Sequence, residues 1–334
     1  MEKIDIKNAL LETSLCQFLK PDELNIVVEH CDIVLFEAGE FILYQGKRSE
    51  GLYIIIEGEA SVSAKVLGEG VMDLATLNIG NILGEISVLE NGPCATSVIS
   101  TRSTKCLFIK SKFFEMMSFF LPNIKYQLSL AISYEVVDRL KKIHKKITHI
   151  MAETKMAEIS LFGVVIQSIT NSSITSFEEQ KMDKNILKNL EFFKSFNEEE
   201  FNQLLDHAEL IAAPNNCVLI QEDDEESACY IVLQGAVQLS IVQDNKFAKL
   251  FVLDPISLFF SLSLIDSNSP SVINYTSCER VILLKISAHA LEHLQKNNLK
   301  LWYKMFNFIC KSLVVLEKSA DKLDIRLHSE LYNR

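Results

Sequence analysis

Apolar residues stand at helical spacing in PDELNIVVEHC, where Leu24, Val27, Val28 and Cys31 fall at i, i+3, i+4 and i+7 and predict a short helix with one buried stripe. From Ile33 to Ile109 the pattern changes to brief β-branched and aromatic runs (FILY, LYIII, ASVSA, ATSVIS, CLFI). These are broken by Gly39, Gly46, Gly51, Gly58, Gly68, Gly70, Gly80, Gly84 and Gly92, which predicts short strands and turns, hence an antiparallel barrel or sandwich. After Pro122 the period becomes helical again. Val136, Leu140, Ile143, Ile147 and Ile150 are spaced 4, 3, 4 and 3, a seam of two heptads that suits either a helix packed on its own barrel or a homodimer stalk.

The second half repeats the first at a constant offset of 177, without a gap, from Leu24 to Phe114. Leu24 maps to Phe201, His30 to His207, Tyr53 to Tyr230, Gly58 to Gly235, Pro93 to Pro270 and Ile109 to Ile286. The expected organisation is a first domain with its C-terminal helix over 1–165, a Ser/Thr/Asn-rich linker over 166–185, and a second domain over 186–334.

The length of 334 residues independently favours two domains, and 48% hydrophobic with 23% charged residues is the composition of a folded chain. The net charge of −11 argues against nucleic acid and anionic membrane as partners. The N-terminus shows no secretory signal, and the most apolar stretch, Leu250 to Ile265, is shorter than a spanning helix requires. Eight cysteines are scattered without a CxxC pair, so a reducing, cytoplasmic setting is expected.

One stretch carries chemistry: Gly80-Asn81-Ile82-Leu83-Gly84-Glu85-Ile86-Ser87-Val88-Leu89-Glu90-Asn91-Gly92-Pro93-Cys94-Ala95-Thr96-Ser97-Val98. Gly84 permits close approach of a ligand to the main chain, the amides of the turn after it suit an anion, and a buried Glu85 can accept a sugar hydroxyl.

With GEFILYQG at 39–46, LYIIIEGEASV at 52–62 and DRLKKIHKK at 138–146, this cassette resembles the cyclic nucleotide-binding domain of catabolite-activator-type regulators, protein kinase A regulatory subunits and cyclic nucleotide-gated channels. The resemblance implies two tandem antiparallel β-barrel (jelly-roll) domains with flanking helices, an α+β chain. It implies that Glu85 takes the ribose 2'-hydroxyl, that Gly84 and the amides of Ile86 and Ser87 meet ribose and cyclic phosphate, and that Met72 and Leu74 lie on the strand contacting the purine. Arg139 and Ile143 fall where capping residues sit over the base. Pro93, Cys94, Ala95 and Thr96 complete the site, and Ala95, where cGMP-preferring relatives often carry Thr, favours cAMP.

The departure is Cys94, which stands where the family pairs an arginine with the cyclic phosphate. Loss of a charged hydrogen bond weakens cyclic nucleotide binding by roughly ten- to several-hundredfold. Arg102 and Lys105 lie beyond the next strand and are expected to face solvent. An uncharged purine nucleoside is the alternative ligand. In repeat two, Gly84, Glu85 and Cys94 become Ser261, Leu262 and Ser271, and Phe259, Phe260, Leu262 and Leu264 are expected to fill the former ligand volume.

Other signals are set aside. His289 and His293 have metal-like spacing but map to Lys112 and Met116 of an ordinary helix, so no metal or cofactor is expected. Cys94 reads as a small buried hydrophobe, and Lys141, Lys142, Lys145 and Lys146 read as a solvated helix face. Neither a helix-turn-helix nor a catalytic constellation is present, so the expected molecule is a non-enzymatic regulatory protein. Repeat one would be its small-molecule sensor and repeat two ligand-dead; a protein-interaction scaffold that binds no small molecule is the reading from a different class.

Overall fold

The computed structural model describes residues 7–8, 10–11, 13–66, 70–153, 174–176, 187–221, 224, 227–243, 246–269 and 272–332. They form two compact units, one of residues 1–139 with 313–334 and one of residues 140–312. The expected linker at 166–185 lies outside the described residues except for 174–176.

In the first unit, helix α1 (Pro21–Glu29) buries Leu24, Val27 and Val28, the predicted stripe. Eight strands follow: β1 (Asp32–Phe36), β2 (Phe41–Leu43), β3 (Gly51–Glu57), β4 (Ala60–Val66), β5 (Gly70–Leu77), β6 (Ile82–Leu83), β7 (Ser97–Ser100) and β8 (Thr104–Lys110). They pair antiparallel as two sheets, β1-β8-β3-β6 and β2-β7-β4-β5. Both sheets supply the core: Ile55 and Tyr53 of β3, Leu83 of β6 and Cys106 of β8 meet Ile42 and Leu43 of β2, Ala60 of β4, Leu77 of β5 and Val98 of β7. The arrangement is jelly-roll-like, with two sheets in place of one closed barrel. Two helices follow, α2 (Ser111–Phe120) and α3 (Pro122–Glu153), of which the residues to Arg139 belong to this unit and those from Leu140 to the second.

The second unit repeats the plan. After β9 (Thr175–Ser176) and helix α4 (Glu198–Asp206) come β10 (Glu209–Ala213), β11 (Val218–Ile220), β12 (Ala228–Gln234), β13 (Val237–Gln243), β14 (Lys246–Leu253), β15 (Leu258–Phe260), β16 (Asn274–Ser277) and β17 (Val281–Ser287). These form the antiparallel sheets β15-β12-β17-β10-β9 and β11-β16-β13-β14, and helices α5 (Ala288–Asn297) and α6 (Leu299–Tyr332) follow, α6 belonging to this unit up to Ser312 and to the first from Leu313.

The offset of 177 holds in three dimensions. Tyr53 opposes Phe108 as Tyr230 opposes Lys285. At the cassette strand it fails by one residue, because Tyr53 opposes Leu83 whereas Tyr230 opposes Phe259, the counterpart of Ile82. Side chains alternate across a strand, so this single step exchanges the faces they occupy.

The seam of α3 is used within the chain. Val136, Leu140, Ile143 and Ile147 are all buried and Ile150 is half-buried; Val136 belongs to the first unit, whereas Leu140 and the residues after it belong to the second, so the seam is not simply a helix packed on its own barrel. Among the described residues no helix is long and apolar enough to cross a membrane.

Candidate functional site

The cassette begins where β6 ends. Gly84 has φ +87°, and a Cβ there would lie 2.4 Å from the Gly51 carbonyl oxygen, so this position requires glycine for its left-handed backbone and its approach to β3. That is a structural reason for the glycine where ligand access was expected. Glu85 and the π-type turn Ile86–Glu90 follow, ending at Asn91 with φ 61°. The turn's first internal hydrogen bond is donated by Val88 N to Gly84 O at 3.2 Å. The amides of Glu85, Ile86 and Ser87 precede it.

Ser87 ties the cassette to the loop before β3. Its Oγ accepts from Ser49 N at 2.8 Å and donates to Gly92 O at 3.0 Å. The thiol of Cys94 lies 3.6 Å from the same hydroxyl and is buried in the core cluster beside Leu43, Leu83 and Val98. Burial raises the Cys94 pKa, the Ser87 hydrogen bond opposes this, and the Glu85 charge adds to it. A neutral, apolar group therefore stands where the resemblance led one to expect a cation. Neither proposed substitute points there: Arg102 donates to Gly58 O at 3.3 Å and Lys105 pairs with Glu57.

Glu85 is 5% exposed. Its Oε1 accepts from Arg139 Nη1 at 3.0 Å, while its Oε2 is buried with no hydrogen-bond partner. Where the resemblance implies a cap over the base, the guanidinium of Arg139 is pinned instead to the cassette. Nη2 donates to Ile82 O at 3.2 Å, and Nη1 is shared with a second carboxylate, Glu317 Oε1, at 2.9 Å. Burial works against the charge of Arg139, but Glu317, Glu85, Glu135 and Asp321 outweigh it and raise its pKa, so it stays charged. Glu317 is raised well above its ordinary value, first by burial, with Arg139 opposing and Glu85, Asp321 and Glu135 adding. Its Oε2 is also buried without a partner.

The structure thus gathers Gly84, Glu85, Ile86, Ser87, Cys94 and Arg139. Met72 and Leu74 are half-buried on β5, in the other sheet; Pro93 is exposed, and Ala95 and Thr96 are half-buried. Ile143 is buried and belongs to the second unit. Sequence reasoning missed Glu317. The one available signal was an acidic residue inside the apolar run Leu313 to Leu316 and Ala320, which spacing alone does not connect to Arg139.

In the second unit, Phe259, Phe260 and Leu262 are buried and Leu264 is half-buried. Phe259 stacks between Tyr230 and Tyr275, each 4.9 Å away. Ser261, counterpart of Gly84, has φ −73° and leads into a tight turn, Leu262–Leu264. Ser271 lies outside the described residues. His289 and His293 are exposed, and among the described residues no group of three ligating side chains could hold a metal ion.

A profile of the cyclic nucleotide-binding domain family matches residues 33–118 and 210–298, once in each repeat and over more than half of the chain. The chain belongs to that family, as a tandem member. The cyclic AMP receptor protein of Thermus thermophilus is 25% identical over 115 residues, 34% of this chain and 53% of that protein, so the chain spans about half the length of the curated relative it matches. Among solved structures, the regulatory domain of Toxoplasma gondii PKA with cAMP is 16% identical with a TM-score of 0.31, covering 88% of this chain and 92% of that one. The regulatory subunit of a cAMP-independent protein kinase A from Trypanosoma cruzi, bound to guanosine, is 15% identical with a TM-score of 0.31, covering 89% and 84%. The assignment rests on the profile match.

Proposed function

We propose that the chain is a non-enzymatic regulatory sensor in which repeat one, within residues 1–165, takes a ribose-bearing purine ligand and repeat two, within 186–334, takes none. The observation that carries this reading is Glu85. One carboxylate oxygen is held by Arg139 and the other is buried without a donor, a state that costs about 1–3 kcal/mol unless a hydroxyl completes it. A ribose hydroxyl supplies that donor. Within the family the ligand is a cyclic nucleotide, with cAMP ahead of cGMP because Ala95 lacks a hydroxyl.

A second reading is favoured by Cys94. A neutral thiol in an apolar cluster offers no countercharge to a cyclic phosphate, which supports an uncharged purine nucleoside as ligand. The free cysteines, among them Cys94, Cys106 and Cys229, support a cytoplasmic setting. Dimerisation through α3 is not part of the proposal, since Val136, Leu140 and Ile147 are already buried within one chain.

Titration calorimetry of the full chain with cAMP, cGMP, adenosine and inosine tests both readings. Binding of cAMP well above the nucleosides supports the first and the reverse order the second. E85A abolishes binding in either case. No heat from any of the four overturns the sensor and leaves an interaction module.

A further inference from the structure

The end of α6 holds the cassette at both of its turns. Leu313, Val314, Leu316, Ala320, Leu323 and Leu327 are buried at helical spacing, so residues from 313 onward are seated in the first unit along a continuous stripe. Two adjacent residues on that helix reach the cassette. Glu317 shares Arg139 Nη1 with Glu85 at its first turn. Lys318 Nζ meets Glu90 at its last turn, 3.1 Å from Oε1 and 2.9 Å from Oε2, with side-chain exposures of 17% and 26%. A Cβ on Gly92 would lie 3.0 Å from the same ammonium, so the helix also lies close over the end of the cassette.

We propose that residues 313–332 are an intramolecular latch, clasping the cassette through Glu317 on Arg139 and Lys318 on Glu90, so that cassette geometry and the seating of this helix end change together. The inference goes beyond the sensor reading and does not require a particular ligand. Its physical basis is the distribution of charge. Glu85 and Glu317 draw on one guanidinium nitrogen, and Glu90 draws on Lys318. A shift of the π-type turn moves Glu85 and Glu90 together and strains both bonds to the helix at once. Withdrawal of the helix, conversely, gives Arg139 wholly to Glu85 and frees Glu90. The coupling is reciprocal: whatever rearranges the cassette loosens the helix end, and whatever strips the helix end loosens the cassette.

Hydrogen exchange on the full chain, read by mass spectrometry, tests this. In K318E, peptides covering 82–92 and 313–332 are expected to exchange at least about tenfold faster than in the wild type. The charge-reversed pair E90K/K318E is expected to return both to within about threefold of it. Strand 104–110, in the same unit as the cassette, reports folding of that unit; if K318E also lowers its protection, the milder K318Q carries the comparison with the same outcomes. Unchanged exchange in either cassette or helix peptide overturns the latch, as does a double variant as labile as K318E.

Discussion

Removing the Arg139 side chain tests the electrostatic account of the cassette. Glu85 and Glu317, with side-chain exposures of 7% and 2%, both take Nη1 of Arg139 as their ion-pair partner. R139A leaves two buried carboxylates without it, and breaking a buried pair in this way costs about 3–5 kcal/mol. For a unit of this size that corresponds to a fall in Tm of roughly 6–20 °C. The loss depends on pH in a defined direction. Without the guanidinium, Glu317, already raised by burial, loses the cation that opposes that rise, so stability is retained at low pH and lost as pH rises through its raised value. Wild type is expected to show a weaker trend of the same sign. Glu317 is raised above its ordinary value of 4.5, so the folded form holds the extra proton and stability declines as pH rises from about there. E317Q, which cannot ionise, flattens this slope. Urea and thermal unfolding followed by circular dichroism between pH 5 and 8 measure all three proteins. An R139A loss below about 1 kcal/mol, or one equal at pH 5 and pH 8, refutes the reasoning.

Two further substitutions test the local geometry. G84A forces a side chain into φ +87° and against the Gly51 carbonyl, and is expected to lose about 1–3 kcal/mol from the backbone alone; S261G, where φ is −73°, loses no more than about 1 kcal/mol. Equal losses in urea unfolding would remove the distinction between the two cassettes. F259A takes away a fully buried ring stacked on Tyr230 and Tyr275 and is expected to cost about 3–5 kcal/mol, whereas a loss below about 1 kcal/mol would mean that the ring is not filling the core of repeat two.

The repeat, the short strands and the identity of the cassette were legible in the sequence because each depends on local pattern: glycine spacing, alternation and the offset of 177. Glu85 and Cys94 could be singled out as candidates for the same reason, since both stand inside one contiguous motif. Arg139 was singled out only as a cap over the base, and its pairing with Glu317 was not foreseen. The placement of its guanidinium depends on Glu317, 178 positions further along the chain, and such a pairing is set by how helix ends pack. The second failure is subtler. Matching residues at a fixed offset assumes equal strand register, and β15 departs from β6 by one residue, so alignment described which side chains replaced the cassette without showing which face they occupy.

That one-residue displacement bears on how the two halves can diverge or be re-engineered. Writing a glutamate at position 262 does not rebuild an acceptor like that of repeat one. Ser261 holds an ordinary extended backbone and the following turn is tighter, so the new carboxylate would be presented by different geometry. Giving this segment the backbone of repeat one takes both a glycine at 261 and a strand shifted by one residue. A single substitution supplies only one of the two, so the cassettes cannot be interchanged residue by residue.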